Sequence, residues 1–243
     1  WMYTTQDGGD SYLNLAAEAL SAIGISSGKL LPKYSEVFSR DHKCNSEVVF
    51  ALLNDQKEKI TGGYYSYFYH PTNLIAAQYR NKPVPVSSTQ WWCYSQEFID
   101  VLNKSKADHN DSRVECNLGE GAYGASGQTL TWPNKFLGDM SKQPVINDCD
   151  LLYYRYAYAV MMDAELKYYT KDYAGALASL NIIAKRAYGI EDFYKTATRD
   201  AVLKALVNEY FLEFPAEGVI WWPLIRLDKI WDYNPELLAK KKK

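Results

Sequence analysis

The sequence predicts a mostly α fold: a tetratricopeptide-like helical repeat scaffold with long, irregular, loop-rich insertions and little strand. Three observations carry this expectation. Two helical patterns are joined by a short polar break between Leu151 and Ala187, a third long helical pattern starts at Thr198, and a span from Ile60 to Trp92 is crowded with rings but has no regular period.

From the N-terminus, Tyr12, Leu15, Ala16, Ala19, Leu20 and Ile23 recur at helical spacing and predict a helix over Ser11–Ile23 that stops at Gly24. It reads as the closing helix of a repeat. Pro32 to Phe38 is a short helix, and the β-branched run Asn45 to Leu52, ended by the turn signal Asn54-Asp55, is an extended segment or strand.

Beyond Ile60 the periodicity vanishes. Gly62-Gly63 opens a burst of rings, Tyr64, Tyr65, Tyr67, Phe68 and Tyr69; prolines 71, 83 and 85 then lead to Trp91 and Trp92. Long aperiodic loops are usually functional or disordered, and disorder disfavours so many aromatics, so this span is the candidate ligand surface. Ser95 to Lys104 is expected as a helix with Phe98, Ile99 and Leu102 inward. Gly119 to Gly127 reads as a flexible surface loop, since its glycines lack the strand-then-helix context of a phosphate cradle.

Leu151 to Tyr169 is apolar on nearly every side, interrupted by Arg155, Asp163 and Glu165, which predicts a buried helix. After Thr170-Lys171-Asp172 a second helix carries Tyr173, Leu177, Leu180, Ile183 and Ala187 on one stripe, with Gly189 at the capping position. The lengths of this antiparallel pair, and the small Ala174 and Ala178, are those of a tetratricopeptide-like unit, which buries its apolar side by stacking on neighbours. Thr198-Arg199-Asp200 opens the third helix, with Leu203, Val207, Tyr210 and Phe214 on one side. Glu209, Glu213 and Glu217 recur every fourth residue, and like charges so spaced repel mildly, so they have partners elsewhere or face solvent. Pro215 and Gly218 end this helix before the apolar run Val219 to Ile225.

These residues form an ordered signature: Asp150, Tyr154-Arg155-Tyr156-Ala157, Ala164-Glu165, Leu180-Asn181, Lys185-Arg186-Ala187, Glu209, Glu213-Phe214, Glu217-Gly218, Trp222, Leu224 and Arg226. It resembles the C-terminal pattern of the SusD/RagB family. With less specificity, Tyr34 to Phe38, Asn45 to Phe50, Asp111-Ser112-Arg113, Trp132-Pro133 and Lys135-Phe136 match segments that precede that pattern. Tyr210 and Ile220 replace the family's arginines, Pro223 its aspartate and Tyr158 a common glutamate, which implies a divergent branch that has lost internal ion pairs. In the family the matched positions hold helices together and are not ligand sites.

The resemblance implies one partial domain over residues 1–243, the C-terminal half of such a protein. Residues 1–58 would be the end of a helical repeat with its extended segment, 59–147 the loop-rich candidate ligand region, and 148–243 the helical hairpin and C-terminal signature. It further implies a non-catalytic surface lipoprotein of the outer membrane, lipid-anchored at full length. Such a protein captures an oligosaccharide or polysaccharide as a lid on a SusC-like TonB-dependent transporter. A helical-repeat module that binds a peptide or protein is the alternative.

Composition bounds the classes of partner. With 27 basic against 29 acidic side chains there is no electrostatic footprint for nucleic acid or an anionic membrane. Cys44, Cys93, Cys116 and Cys149 form no Cys-x-x-Cys pair, and with only His42, His70 and His109 beside them no zinc site is expected. Nor is there a cofactor motif, a run of apolar residues long enough to span a bilayer, or a nucleophile signature. The 21 Tyr and 7 Trp are rings with a polar handle, which fits a protein that presents rings to the apolar faces and hydroxyl rim of a sugar and also a helical repeat whose core uses Tyr, the reading that holds for most of the tyrosines. Tyr64, Tyr65, Tyr67, Tyr69, Trp91, Trp92 and Trp132 are the candidate stacking rings, and Asn73, Arg80 and Gln90 the polar edges. Glu209, Glu213 and Glu217 have the separation of a glycosidase acid pair, but the same residues belong to the structural signature, and no enzyme is expected.

Overall fold

The computed structural model describes residues 9–55, 57, 93–123, 128–137, 148–234 and 239. Its elements, in chain order, are α1 (Gly9–Ile23), β1 (Val48–Leu52), α2 (Gln96–His109), α3 (Val114–Asn117), β2 (Gly119–Tyr123), β3 (Gln128–Trp132), β4 (Leu151–Arg155), α4 (Tyr156–Tyr169), α5 (Tyr173–Tyr188), α6 (Arg199–Glu213) and α7 (Trp221–Arg226). The chain divides into two compact units. One contains α1, α4 beyond its first residue, α5 up to Lys185, α6 and α7; the other contains the strands, α2, α3 and residues 186–188.

The helical unit follows its sequence signals closely. In α4, Ala157, Val160, Met161 and Ala164 are fully buried, as expected of a helix with no polar stripe. The Asp172 carboxylate accepts the Gly175 amide at 2.9 Å to start α5, and Gly189, at φ 70°, ends it in the left-handed conformation glycine tolerates. Leu177, Leu180, Ile183 and Ala184 are the buried stripe. The small residue that permits close approach is Ala176; Ala174 and Ala178, expected in that role, are exposed. The Thr198 hydroxyl caps α6 through the Ala201 amide, and Val202, Leu206, Tyr210 and Phe214 bury one side. In α1, Leu20 is buried whereas Tyr12, Leu15 and Ile23 are exposed.

The other unit is built on Tyr34, Val37, Phe38, Cys116, Phe136, Cys149 and Leu152, with Leu31, Val48 and Ala51 against them. The rings of Tyr34 and Phe38, and of Phe38 and Phe136, meet edge to face at centroid distances of 5.2 Å. The expected short helix at Pro32–Phe38 is a 3-10 turn over Tyr34–Phe38. The expected strand after Asn45 is β1, paired antiparallel with β4: Val48 faces Arg155, Phe50 faces Tyr154 and Ala51 faces Leu152. The Ser95 hydroxyl accepts the Phe98 amide to open α2, which buries Ile99 and Leu102. Past Asn110, at φ 52°, Asp111 and Arg113 form an ion pair, wholly buried at 2.9 Å.

Two expectations are corrected. Leu151–Arg155 is a strand, so the predicted helix over Leu151–Tyr169 begins only at Tyr156, whose amide donates to the Glu47 carbonyl at 2.7 Å. Backbone pairing to a segment about a hundred residues upstream overrides a local pattern that permits either state. The first part of the glycine-rich stretch, Gly119–Tyr123, is a strand rather than a loop, with Gly119 opposite Trp132 and Tyr123 opposite Gln128, while residues 124–127 lie outside the described residues. Gly119 is required there because a Cβ would run into the Trp132 indole and the Asn134 side chain.

Candidate functional site

Of the ten candidate ligand residues, Tyr64, Tyr65, Tyr67, Tyr69, Asn73, Arg80, Gln90, Trp91 and Trp92 lie outside the described residues. Trp132 is described, and it is no stacking ring. It is 1% exposed, and its indole N–H donates to the Asn134 carbonyl oxygen at 2.9 Å, so the β2–β3 hairpin leaves no ring face for a ligand.

Glu209 and Glu213, whose spacing alone would suit an acid pair, are enclosed. Glu209 and Glu213 are 0% exposed, and Glu209 accepts the Tyr194 hydroxyl at 2.6 Å, so no substrate reaches either carboxylate as placed. Glu209 thus has a partner off its own helix, whereas Glu217 is half-buried.

Two clusters of rings do reach solvent. On the β1–β4 ribbon, Val48, Ala51 and Leu152 face the core while Phe50, Tyr153 and Tyr154 point outward; the Phe50 and Tyr153 centroids lie 5.6 Å apart with planes tilted by 43°. On α7, Trp221 and Trp222 are 46% and 53% exposed, beside the exposed Ile225. In the sequence the first cluster falls partly within an expected helix, and Trp222 at a position expected to hold the fold. The adjacent Trp221-Trp222 pair, lying just past the helix-ending Pro215 and Gly218, was the available signal.

A buried polar knot fixes α7 from within. Glu165 accepts two hydrogen bonds from Arg226, at 2.6 and 2.9 Å, and a third from the Tyr210 hydroxyl at 2.8 Å. Burial pushes the Tyr210 phenol well above its ordinary pKa, and the Glu165 charge adds to the shift. Burial alone would lower the Arg226 pKa, but its bonds to Glu165 and the carboxylate charge raise it instead. The Tyr169 hydroxyl donates to the Arg226 carbonyl.

A groove of about 470 Å³ lies between α1 and α4, lined by Leu13, Ala17, Leu20 and Leu166 with Asp163 and Lys167. Those two charges pair with each other at 2.7 Å, and Ser179 bonds to both, so the groove presents no unpaired ionic group. Among the described residues no cluster of histidine, cysteine and carboxylate side chains could hold a metal ion, and no helix is long and apolar enough to cross a membrane.

An antiparallel hairpin continued by a third helix defines a tetratricopeptide-like helical scaffold protein. The chain belongs to the SusD family: the SusD/RagB profile matches residues 3–236. Similar solved structures include a SusD superfamily protein from Bacteroides fragilis, with TM-score 0.70 and 20% identity over 92% of this chain and 50% of that one. NanU from B. fragilis has TM-score 0.71 and 21% identity, covering 93% of this chain and 53% of its own. Surface glycan-binding protein A from Bacteroides thetaiotaomicron, in complex with laminarihexaose, has TM-score 0.65 and 17% identity, covering 95% of this chain and 53% of its own. At these identities the likeness is one of fold, and the chain spans about half the length of the structures it matches. No curated protein matches the sequence.

Proposed function

We propose that the chain is part of a glycan-binding surface lipoprotein that captures oligosaccharides for import through a SusC-like TonB-dependent transporter of the outer membrane, without cleaving them. The observation that carries this reading is the family match over residues 3–236. It is supported by the solved relative that holds laminarihexaose, and by the near-balanced charge, which suits a neutral ligand. Tyr64, Tyr65, Tyr67, Tyr69, Trp91 and Trp92 supply the stacking rings in this proposal, with Asn73, Arg80 and Gln90 bonding hydroxyls at the sugar's rim. A non-catalytic role agrees with the burial of Glu209 and Glu213.

Calorimetric titration of the full chain with laminarihexaose, cellohexaose and maltohexaose tests the reading. Saturable binding that weakens at least tenfold in Trp91→Ala or Trp92→Ala supports it. A chain that binds no oligosaccharide but does bind peptides belongs to the alternative class, a helical-repeat module with a protein partner.

A further inference from the structure

We propose that the groove between α1 and α4 is a small-molecule site that takes a neutral mono- or disaccharide; the proposal rests on the groove's own lining and not on the glycan-binding reading above. The groove lies wholly within the helical unit, and its volume of about 470 Å³ falls in the range of sites for small ligands.

Polar groups enter it from both walls. Asn14 and Ser21 stand two turns apart on one face of α1, and among the described residues neither side chain hydrogen-bonds to protein. From α4 come Asp163 and Lys167, with Thr170 just past its end. The Lys167 ammonium has three N–H donors; Asp163 takes one at 2.7 Å and Ser179 another at 3.0 Å, which leaves the third for a ligand. The Thr170 hydroxyl spends its hydrogen on the Leu166 and Lys167 carbonyls, at 3.2 Å each, and keeps a lone pair as acceptor. Leu13, Leu20, Ile25 and Leu166 supply apolar lining.

This chemistry narrows the occupant. An ion of either sign would have to compete with the Asp163–Lys167 pair, which is neutral in sum and which Ser179 bonds at both members. A wholly apolar ligand would strip water from the Asn14 amide, the Ser21 hydroxyl and the third Lys167 donor without replacing it. A pyranose carries hydroxyls that both donate and accept, and C–H faces that pack on leucine side chains. Among the described residues no aromatic ring lines the groove, so the sugar is not stacked and its dissociation constant falls in the millimolar range.

The test is the ¹H–¹⁵N and methyl ¹H–¹³C spectra of the full chain, titrated with glucose and with maltose. Saturable shifts of the Asn14 carboxamide and of the Leu13, Leu20 and Leu166 methyls are expected. N14A/S21A changes two exposed helix positions where alanine is well tolerated, and it should weaken binding about fivefold, the loss of one or two hydrogen bonds. Ala17→Phe, which places a ring in the groove, should abolish it. If these signals stay still up to about 100 mM of both sugars, a concentration that fills a millimolar site, the proposal is refuted. It is refuted equally if an amphipathic peptide shifts them and neither sugar does, because the groove is then a seat for a helix. Hexasaccharide binding that depends on Trp91 or Trp92 is decided separately. Groove signals that respond to glucose in a chain that binds no hexasaccharide would uphold this site and overturn the proposed function, and silent groove signals in a chain that binds one would do the reverse. The shifts are read on the unaltered chain, so a variant that does not fold leaves the decision intact.

Discussion

Glu47 and Arg155, 108 positions apart, form an ion pair at 2.8 Å with both side chains essentially removed from solvent. The other Glu47 oxygen takes Arg186 at 2.7 Å, and the Tyr34 ring lies within 5.7 Å of both guanidinium carbons. One carboxylate thus ties the residue before β1 to the end of β4 and the last turn of α5, and the aromatic face offsets part of the second positive charge. Removing one partner of a buried pair leaves an uncompensated charge, which costs about 3 to 5 kcal/mol, whereas replacing all members with apolar residues is often neutral. Glu47→Ala should therefore lower urea-unfolding stability by about that amount, and the triple variant E47L/R155M/R186M by less. A loss under about 1 kcal/mol in Glu47→Ala would remove the network from the account of this unit.

The Tyr210 hydroxyl donates to Glu165 at 2.8 Å, and the Tyr158 ring meets the Tyr210 ring edge to face at 6.4 Å. The carboxylate is thus held by one charged and one neutral donor, with an aromatic contact beside them.

This arrangement has a pH signature. Burial first, and Glu165 second, hold the Tyr210 phenol protonated far above its usual range. The folded pKa is thus above the unfolded value of about 10. The phenol's contribution is fully present below that value and declines as pH rises above it, by about 1.4 kcal/mol per pH unit, because only the unfolded chain releases the proton. Tyr210→Phe should reduce stability near neutral pH by about 1.5 to 3 kcal/mol, the range for a bond to a charged group. It should also flatten the alkaline limb of a stability profile between about pH 10 and 12. Equal alkaline slopes in the two proteins would contradict the assignment.

How much of this was legible depends on where each signal resides. The hairpin α4–α5 and the start of α6 were readable because their determinants are local: Asp172, Gly189 and Thr198 cap by bonds to residues within four positions. β4 was not, because Leu151–Arg155 can be extended or helical, and the decision is made by Val48–Leu52 far upstream. The burial of Glu209 likewise depends on Tyr194, which is not on its helix. For the candidate site, composition pointed to rings, but it does not distinguish a ring in a wall from one on a surface. Trp132 belongs to the wall and Trp221 and Trp222 to the surface, and neither could be told from residue type.

Gly119→Ala probes the hairpin that replaced the expected loop. Its new methyl would overlap the Trp132 indole and the Asn134 amide, both held in place by their mutual bond and by the Asn134 bond to the Glu115 carbonyl at 2.9 Å. Overpacking of this kind costs about 1 to 3 kcal/mol, so the midpoint of urea unfolding should fall while the m-value stays the same.

Trp132→Phe separates wall from surface. The variant keeps an aromatic ring but loses the N–H that satisfies Asn134, and it leaves a gap at a position 1% exposed. Stability should drop by about 1 to 3 kcal/mol, the cost of a stranded polar group. A ring that no ligand touches contributes nothing to affinity, so calorimetric titration with the oligosaccharide that binds the parent chain should give the same dissociation constant within about twofold. A tenfold weakening, a difference of about 1.4 kcal/mol, in a variant that remains folded would mean that the hairpin opens to present Trp132 to the sugar.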